Sequence, residues 1–410
     1  MKKRGESALD PTRNASGDLV LSPIAFWQTD DVWEYIGMCA SGLLDTFSDF
    51  AETLRIYAHS GGTSCAVVSD SLLEGKQKKG GCGSRLGCYV CQQAVDKSLE
   101  NMIDYDDQYA YARGLNQLNK FIRATRFDYT LRHWVGRTIK EGFVCIEPDT
   151  YHPKMLRMLT RFMLQLDYDE MKRAERAWEQ RKFVLLPMEM MIAVDALQSM
   201  NGVARPFSIW ADYRDIFMRG VRYDIPTVET ARPTQWPTPK FLYVGDEWDS
   251  SSPASAWTGM RDPYYEAMTE GSGCSYEIKT LNNGQSAWDV PTEQTFSVDR
   301  ESAFMISEFE LDSLIRYYDR CTLPGDVTFA YKWYLQYGAI KLHHSQVSSH
   351  DEALRRTAFK DRLGLTLNYD IDDLVGRSIP YVELPAAAQG AWKDKETAAA
   401  FQDDMFRIAA

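Results

Sequence analysis

Cys65, Cys82, Cys88 and Cys91 are four of the chain's eight cysteines, and all lie in one stretch. Its core runs Cys82-Gly83-Ser84-Arg85-Leu86-Gly87-Cys88-Tyr89-Val90-Cys91. A gap of two residues, as between Cys88 and Cys91, lets both thiolates of one turn reach a single metal centre. Gly81, Gly83 and Gly87 let the backbone turn tightly and aim N–H groups at sulfide or thiolate charge. Thiolates are the ligands that suit zinc and iron–sulfur clusters. A zinc ribbon carries two such pairs, and this stretch has one. The spacing therefore points to an iron–sulfur cluster, 4Fe-4S favoured, on Cys65, Cys82, Cys88 and Cys91. Structural zinc is the alternative, and ordinary or disulfide-bonded cysteines are the third reading. Cys39, Cys145, Cys274 and Cys321 are scattered and are expected to be buried thiols.

A second candidate is electrostatic. Between residues 111 and 140 lie Arg113, Lys120, Arg123, Arg126, Arg132, Arg137 and Lys140, with Tyr111, Phe127, Tyr129 and Trp134 interleaved and Asp128 as the one acid. Cations interleaved with aromatics suit phosphate and nucleic-acid contacts, so Arg123, Arg126 and Arg132 are candidate DNA-binding residues. A merely solvated helix face is the competing explanation. Two weaker groups are His343, His344 and His350 near Asp351, whose spacing matches no metal-binding helix, and the acidic run Asp246, Glu247 and Asp249, expected to be a solvated loop.

The elements that must carry these residues are helical for the most part. With 410 residues the chain is long enough for two or three domains. Its 44 % hydrophobic and 25 % charged residues are ordinary for a globular protein. No apolar run approaches a membrane span, and Met1-Lys2-Lys3-Arg4 is not followed by the apolar core of a signal peptide. The expectation is a cytoplasmic protein with no membrane partner. A net charge of −12 argues against a surface built as a whole to attract nucleic acid.

Along the chain, Ser22 to Trp27 reads as a short extended run broken by Pro23, followed by a helix over Asp31–Ile36 capped by Thr29 or Asp30. Residues 96–182 read as helical throughout: 98–103, 109–126, 155–166 and a charged helix over 169–182. An apolar helix follows over 185–200. Residues 221–300 lose helical periodicity and read as a loop-rich insert with short strands at Phe241–Val244 and Tyr276–Ile278. Helix returns over 303–317 and 327–337, with an Ala-rich terminal helix over 391–409. The expected fold class is mainly α (α+β).

The N-terminal residues carry a resemblance. Arg4-Gly5-Glu6-Ser7, Arg13, Pro23-Ile24 and Trp27-Gln28-Thr29-Asp30-Asp31-Val32-Trp33-Glu34-Tyr35-Ile36 resemble the end of a PAPS-reductase-type domain of the ATP-pyrophosphatase superfamily. The four-cysteine stretch with Asp96-Lys97-Ser98 resembles the DndC-type sulfurtransferases of DNA phosphorothioation, in which four cysteines hold an iron–sulfur cluster. Tyr334-Leu335, Gly338-Ala339-Ile340, Leu354-Arg355-Arg356-Thr357-Ala358 and Pro380 to Pro385 are similar to the C-terminal region of such proteins. The likeness is strong over residues 1–105, patchy over the last hundred and weak between.

The resemblance implies a layout: a PAPS-reductase-like remnant over 1–60, an iron–sulfur module over 61–105, a helical domain over 106–220, the loop-rich insert over 221–300 and a C-terminal helical region over 301–410. It also implies that Arg4, Glu6 and Arg13 line a nucleotide or phosphate pocket. One departure is large. The family's ATP loop reads Ser-Gly-Gly-x-Asp-Ser, and Ser60-Gly61-Gly62-Thr63-Ser64 has no aspartate and no apolar strand before it. ATP is thus expected only through a partner ATP-pyrophosphatase chain, the present chain beginning where that domain ends in a full-length relative; loss of the activity and a start internal to the gene are the alternative readings. DNA and other subunits of a modification complex are the further expected partners. A scaffold of a DNA-modification or anti-phage complex and a sulfonucleotide reductase-like enzyme for a small molecule are the rival functions.

Overall fold

The computed structural model describes residues 9–13, 17–48, 50–54, 97–225, 229–231, 236–249, 260, 278–280, 286–288, 292–323 and 325–395. Helix and sheet are both present among them, with helix predominant. The chain divides into two compact units, residues 1–120 and 121–410.

In the first unit, β1 (Thr12–Arg13) pairs antiparallel with β2 (Leu19–Val20). Residues 22–27 form a turn rather than the expected extended run. Ala25 N–H donates to Ser22 C=O (2.9 Å) and Trp27 N–H to Ile24 C=O (3.1 Å). Pro23 explains the difference, since its fixed φ suits the second position of a turn. Helix α1 (Thr29–Ala40) starts before the expected boundary, and its N-cap is Gln28. The Gln28 N–H donates to the Asp31 carboxylate at 2.7 Å, so the acid in the first turn satisfies a backbone group that would otherwise lack a partner. Helix α2 (Lys97–Tyr105) buries Leu99 and Ile103 with Ala112 of the 3₁₀ turn that follows it. Helix α3 (Arg113–Ala124) comes next and runs across the boundary between the units.

The second unit is built on a four-stranded antiparallel sheet of order β11-β5-β4-β3. Its strands are β3 (Val135–Lys140), β4 (Phe143–Ile146), β5 (Lys240–Tyr243) and β11 (Ile379–Pro380). The β3–β4 hairpin interrupts the stretch expected to be helical. Glu141 (φ 49°) and Gly142 (φ 72°) are both left-handed, the geometry of a two-residue hairpin turn whose twist matches the strands. Gly142 N–H donates to Asp246 (2.8 Å), which locks the turn to the chain after β5. The register slips between Val135 and Ile139. Gly136 lies there, and a Cβ on it would come within 2.9 Å of the Cys145 carbonyl oxygen.

Side chains alternate across the sheet. Val144, Ile146 and Leu242 pack with Leu365 and Leu374, whereas Phe143, Cys145 and Phe241 pack with Leu384, Ala388 and Trp392. Leu374 belongs to α11 (Ile371–Arg377) and Ala388 to α12 (Ala386–Ala391), so a helix covers each face. The strand expected over 241–244 is β5, and that expected near Ile278 is β6 (Ile278–Thr280), paired with β7 (Ser286–Trp288).

The two helices expected over 155–182 are one, α4 (Pro153–Ala177). Pro153 occupies its first position, where no N–H is needed, and Trp178 ends it in the left-handed conformation. Inside this helix Asp167 accepts from the backbone N–H groups of Leu185 (2.7 Å) and Leu186 (2.8 Å), so α5 begins only at Met188 (Met188–Asn201). Then come α6 (Ser208–Tyr213), α7 (Arg300–Met305), α8 (Leu311–Arg320), α9 (Phe329–Gln336) and α10 (Val347–Arg362). Single π-helical turns extend α6 over Arg214–Met218 and join α7 to α8 over Ile306–Glu310. Phe207, fully buried, packs edge-on against Phe329, Trp333 and Tyr334. A third sheet sets β10 (Ile340–His343) between β8 (Thr292–Glu293) and β9 (Ser297–Val298). α12 ends where the Ala-rich helix expected over 391–409 begins, and residues 396–410 of that stretch lie outside the described residues.

Candidate functional site

Cys65, Cys82, Cys88 and Cys91, together with Arg4 and Glu6, lie outside the described residues. Arg13 is exposed on β1, where its Nη1 donates to the Gly17 carbonyl at 2.5 Å and closes its own hairpin. Among the described residues no group of three or more His, Cys, Asp or Glu side chains could hold a metal ion. His343 and His344 stack at 4.1 Å. His350 contacts the Tyr331 hydroxyl instead, and Asp351 is buried against Arg355 (3.0 Å). The acids of the 246–249 run have structural partners: Asp246 holds the hairpin turn and Asp249 meets Arg355 at 3.4 Å.

Arg126 and Arg132 come together. Arg132 Nη2 donates to the Arg126 carbonyl (2.9 Å), and its guanidinium lies 4.6 Å from the Tyr151 ring centre. The Arg126 guanidinium covers Phe127 at 4.4 Å. Arg123 sits half-buried in the last turn of α3, and its Nε finds no acceptor among the described residues. The remaining cations of the stretch diverge. Lys120 pairs with Glu100 (3.1 Å), Arg137 with Asp149 (3.8 Å), and Lys140 donates to the Ala391 carbonyl (3.0 Å).

One cleft of about 360 Å³ gathers polar side chains from distant parts of the second unit. β3 contributes Gly136, Arg137 and Thr138. β4 and the segment after it contribute Cys145, Glu147 and Asp149. α10 contributes Ala353, Arg356, Thr357 and Lys360, and the C-terminal segment contributes Trp392 and Lys395. Asn201 completes the lining. The bulge at Gly136 bends the strand here, and three small residues of the wall (Gly136, Ala353 and Thr357) leave the space open.

Lys360 is 3 % exposed. Its Nζ donates to the carbonyl oxygens of Gly136 (3.0 Å) and Arg137 (3.5 Å). No carboxylate among the described residues lies within ion-pair distance of it. Burial first, then the charges of Arg356 and Arg137, bring its pKa down to about 7. Arg356 pairs with Glu352 (3.2 Å) through one Nη, while its buried Nε has no acceptor among the described residues. Burial pulls its pKa below the usual range, with Arg355 acting in the same direction. Lys395 pairs with Glu147. Burial raises the Cys145 thiol well above its ordinary range, so it stays protonated and unreactive. Behind this wall His133 Nδ1 shares a hydrogen bond with the Tyr369 hydroxyl (2.8 Å), whose oxygen accepts from Trp134 N–H (2.8 Å). Burial, and next the nearby Lys360, lower His133 to about 3, so its imidazole is neutral.

The cleft was not legible as a motif, since its lining is spread from residue 136 to residue 395. A cation at every fourth position of α10, Arg356 and Lys360, was the one local sign. Comparison with protein-family models, with curated proteins and with solved structures finds no match.

Proposed function

We propose that the chain is the iron–sulfur subunit of a DndC-like sulfur-transfer system of DNA phosphorothioation. In this reading it acts with an ATP-pyrophosphatase domain supplied by another chain. The observation that carries the proposal is the set Cys65, Cys82, Cys88 and Cys91 in a glycine-punctuated stretch. Four thiolates form a complete donor set for a 4Fe-4S cluster and leave no coordination to be found elsewhere. When bound, such a cluster supplies one-electron transfer or labile sulfide. The chain's own residues would hold it: the four sulfurs as ligands, and the N–H groups around Gly83 and Gly87 as donors to sulfur. Arg4, Glu6 and Arg13 are assigned to the nucleotide or phosphate pocket shared with the partner, and Arg123, Arg126 and Arg132 to DNA.

The test is anaerobic purification followed by iron and sulfide assay. The expected result is a brown protein with iron and acid-labile sulfide, both lost when the four cysteines become serine. Colourless, iron-free protein overturns the proposal. Zinc in stoichiometric amount would assign the same four ligands a structural role. ATP–pyrophosphate exchange is expected only with an ATP-pyrophosphatase chain present. Exchange that fails with every such chain favours a scaffold in a DNA-modification or anti-phage complex, a second reading supported by Ser60-Gly61-Gly62-Thr63-Ser64, which lacks the aspartate of an ATP loop. Salt-dependent duplex binding that weakens when Arg123, Arg126 and Arg132 are neutralised tests the DNA assignment.

A further inference from the structure

We infer that the cleft between β3, α10 and the C-terminal segment binds a phosphate monoester of a small molecule, up to about the size of one nucleotide. The inference is independent of the cluster. Among the lining residues four cations (Arg137, Arg356, Lys360 and Lys395) face two carboxylates (Glu147 and Asp149). That local excess of positive charge stands in a chain of net charge −12. Both carboxylates are engaged: the buried Glu147 by Lys395 and the exposed Asp149 by the largely exposed Arg137. Among the described residues the deepest cation, Lys360, has only carbonyl partners, and the Arg356 Nε beside it on the helix has none.

A buried amine and a half-buried guanidinium one helical turn apart, with Glu352 the one carboxylate paired to either among the described residues, raise the free energy of the folded chain. A dianion placed between them would remove that penalty. It would accept from Lys360 Nζ and Arg356 Nε, with Thr138, Thr357 and Asn201 as neutral donors nearby. Charge-assisted bonds of this type are the strong ones.

Size selects among phosphates. The volume of about 360 Å³ sits at the lower end of small-molecule sites, which run from about 300 to 1,000 Å³. A free phosphate ion leaves most of it empty. A duplex backbone cannot reach an ammonium that is 3 % exposed, and the overall negative charge opposes a polyanion. Proton uptake gives a second signature. The charged or titratable groups around Lys360 are Arg137, Cys145, Glu147, Asp149, Arg356 and Lys395 in the cleft, and His133 behind its wall. With Lys360 poised at about 7, binding of a dianion completes its protonation, so affinity falls as pH rises above neutral.

The experiment is calorimetric titration of the full chain with adenosine monophosphate, inorganic phosphate, adenosine and short duplex DNA, at pH 7 and at pH 8.5. Saturable binding of the monophosphate is expected, weaker for inorganic phosphate and absent for adenosine, with weaker binding and proton uptake at the higher pH. Lys360→Met and Arg356→Gln should each weaken it about 10- to 100-fold, the range for losing one charge-assisted bond. Ala353→Tyr, which narrows the cleft and removes no charge, should abolish monophosphate binding and guards against a Lys360 variant that fails to fold. Absence of monophosphate binding in the wild-type chain overturns the inference. So does binding that all three variants retain, or Lys360-dependent binding of duplex DNA without binding of the monophosphate.

Discussion

α10 presents two buried charge systems on adjoining faces, and they differ in one respect. On one face Arg355 Nε meets Asp351 at 3.0 Å, its Nη1 donates to the Trp248 carbonyl at 3.0 Å, and Asp351 also accepts from Met260 N–H at 2.9 Å. On the other face Arg356 and Lys360 line the cleft, and Lys360 has no carboxylate partner among the described residues. A charge that is buried and fully partnered holds elements together, here α10 to the segment after β5. A charge that is buried and left without a counter-ion stabilises nothing by itself, and it marks a place where an anion improves the energy.

The sharpest way to break this comparison is to unpair the partnered face. Asp351→Ala takes the carboxylate away from the buried Arg355 Nε and strips Met260 N–H of its acceptor. Removing one partner of a buried pair costs about 3–5 kcal/mol, so the urea midpoint should fall by an amount of that order. A loss under about 1 kcal/mol would mean that water reaches the pair and that the two faces do not differ.

The opposite result is expected at Lys360. Its folded pKa of about 7 lies below the ordinary value of 10.5. The unfolded chain therefore binds more protons between these values, and stability rises with pH across that window. From pH 7 to pH 9 the gain should be about 2 kcal/mol. Lys360→Met should flatten this slope and leave stability at pH 7 unchanged or improved. Denaturant titrations of both proteins at the two pH values decide the matter, and a steep slope in the variant would assign it to another group.

Two faces of one helix differ so much because of elements far away in the chain, and that sets what was legible in the sequence. Short-range chemistry read well. The strand at Phe241 and the apolar helices at Leu115–Ile122, Met155–Leu166 and Leu314–Tyr317 follow from local periodicity. The β3–β4 hairpin was missed because Arg137 and Lys140 continue a run of cations that fits a basic helix, although Glu141-Gly142 between two apolar runs is a turn signal. Chain entry into α1 was displaced because Gln28 is not a favoured cap, whereas Asp31 supplies the hydrogen bond from three residues on. Beyond the four-residue spacing of Arg356 and Lys360, nothing local foretold the cleft. Lys360 reads as a surface lysine near the end of a charged helix, and only the carbonyls of Gly136 and Arg137, more than two hundred residues earlier, make it a buried one.

His133 sharpens the comparison with a group that burial holds neutral. It lies behind the cleft wall, and its pKa of about 3 is below the ordinary 6.5. The unfolded chain takes up a proton on falling below pH 6.5 that the folded chain refuses until about pH 3, so stability is lost as pH falls through this range. Between pH 7 and pH 5.5 the loss should be about 1 kcal/mol. Nuclear magnetic resonance titration of the imidazole gives the direct check, since a ring that protonates near pH 6 would contradict the buried geometry. Any loss of His133's share should be smaller in Lys360→Met, because Lys360 is the second cause of the shift.

The smallest effect is expected at Asp195, which is an anionic counterpart of Lys360. It is 1 % exposed. One carboxylate oxygen accepts from Tyr334 Oη (2.9 Å) and Phe207 N–H (3.1 Å), and the other finds no partner among the described residues. The Tyr334 hydroxyl accepts from Trp210 Nε1 at 2.6 Å, so the network runs through the aromatic core around Phe207. Burial raises the Asp195 pKa to about 7, against two hydrogen bonds that pull it down. Here the folded chain binds the extra proton: the stabilisation is complete below pH 3.8 and lost as pH rises through 7. Over pH 6.5 to 8 the loss is about 1 kcal/mol or less. Asp195→Asn keeps an oxygen for Tyr334 and Phe207 and removes the ionisation, so its stability should be flat over that window. Asp195 does not line the cleft, and added monophosphate should leave its titration unchanged. If the asparagine variant instead lost several kcal/mol at every pH, the carboxylate would be a partnered charge like Asp351, and the distinction drawn on α10 would not extend to the aromatic core.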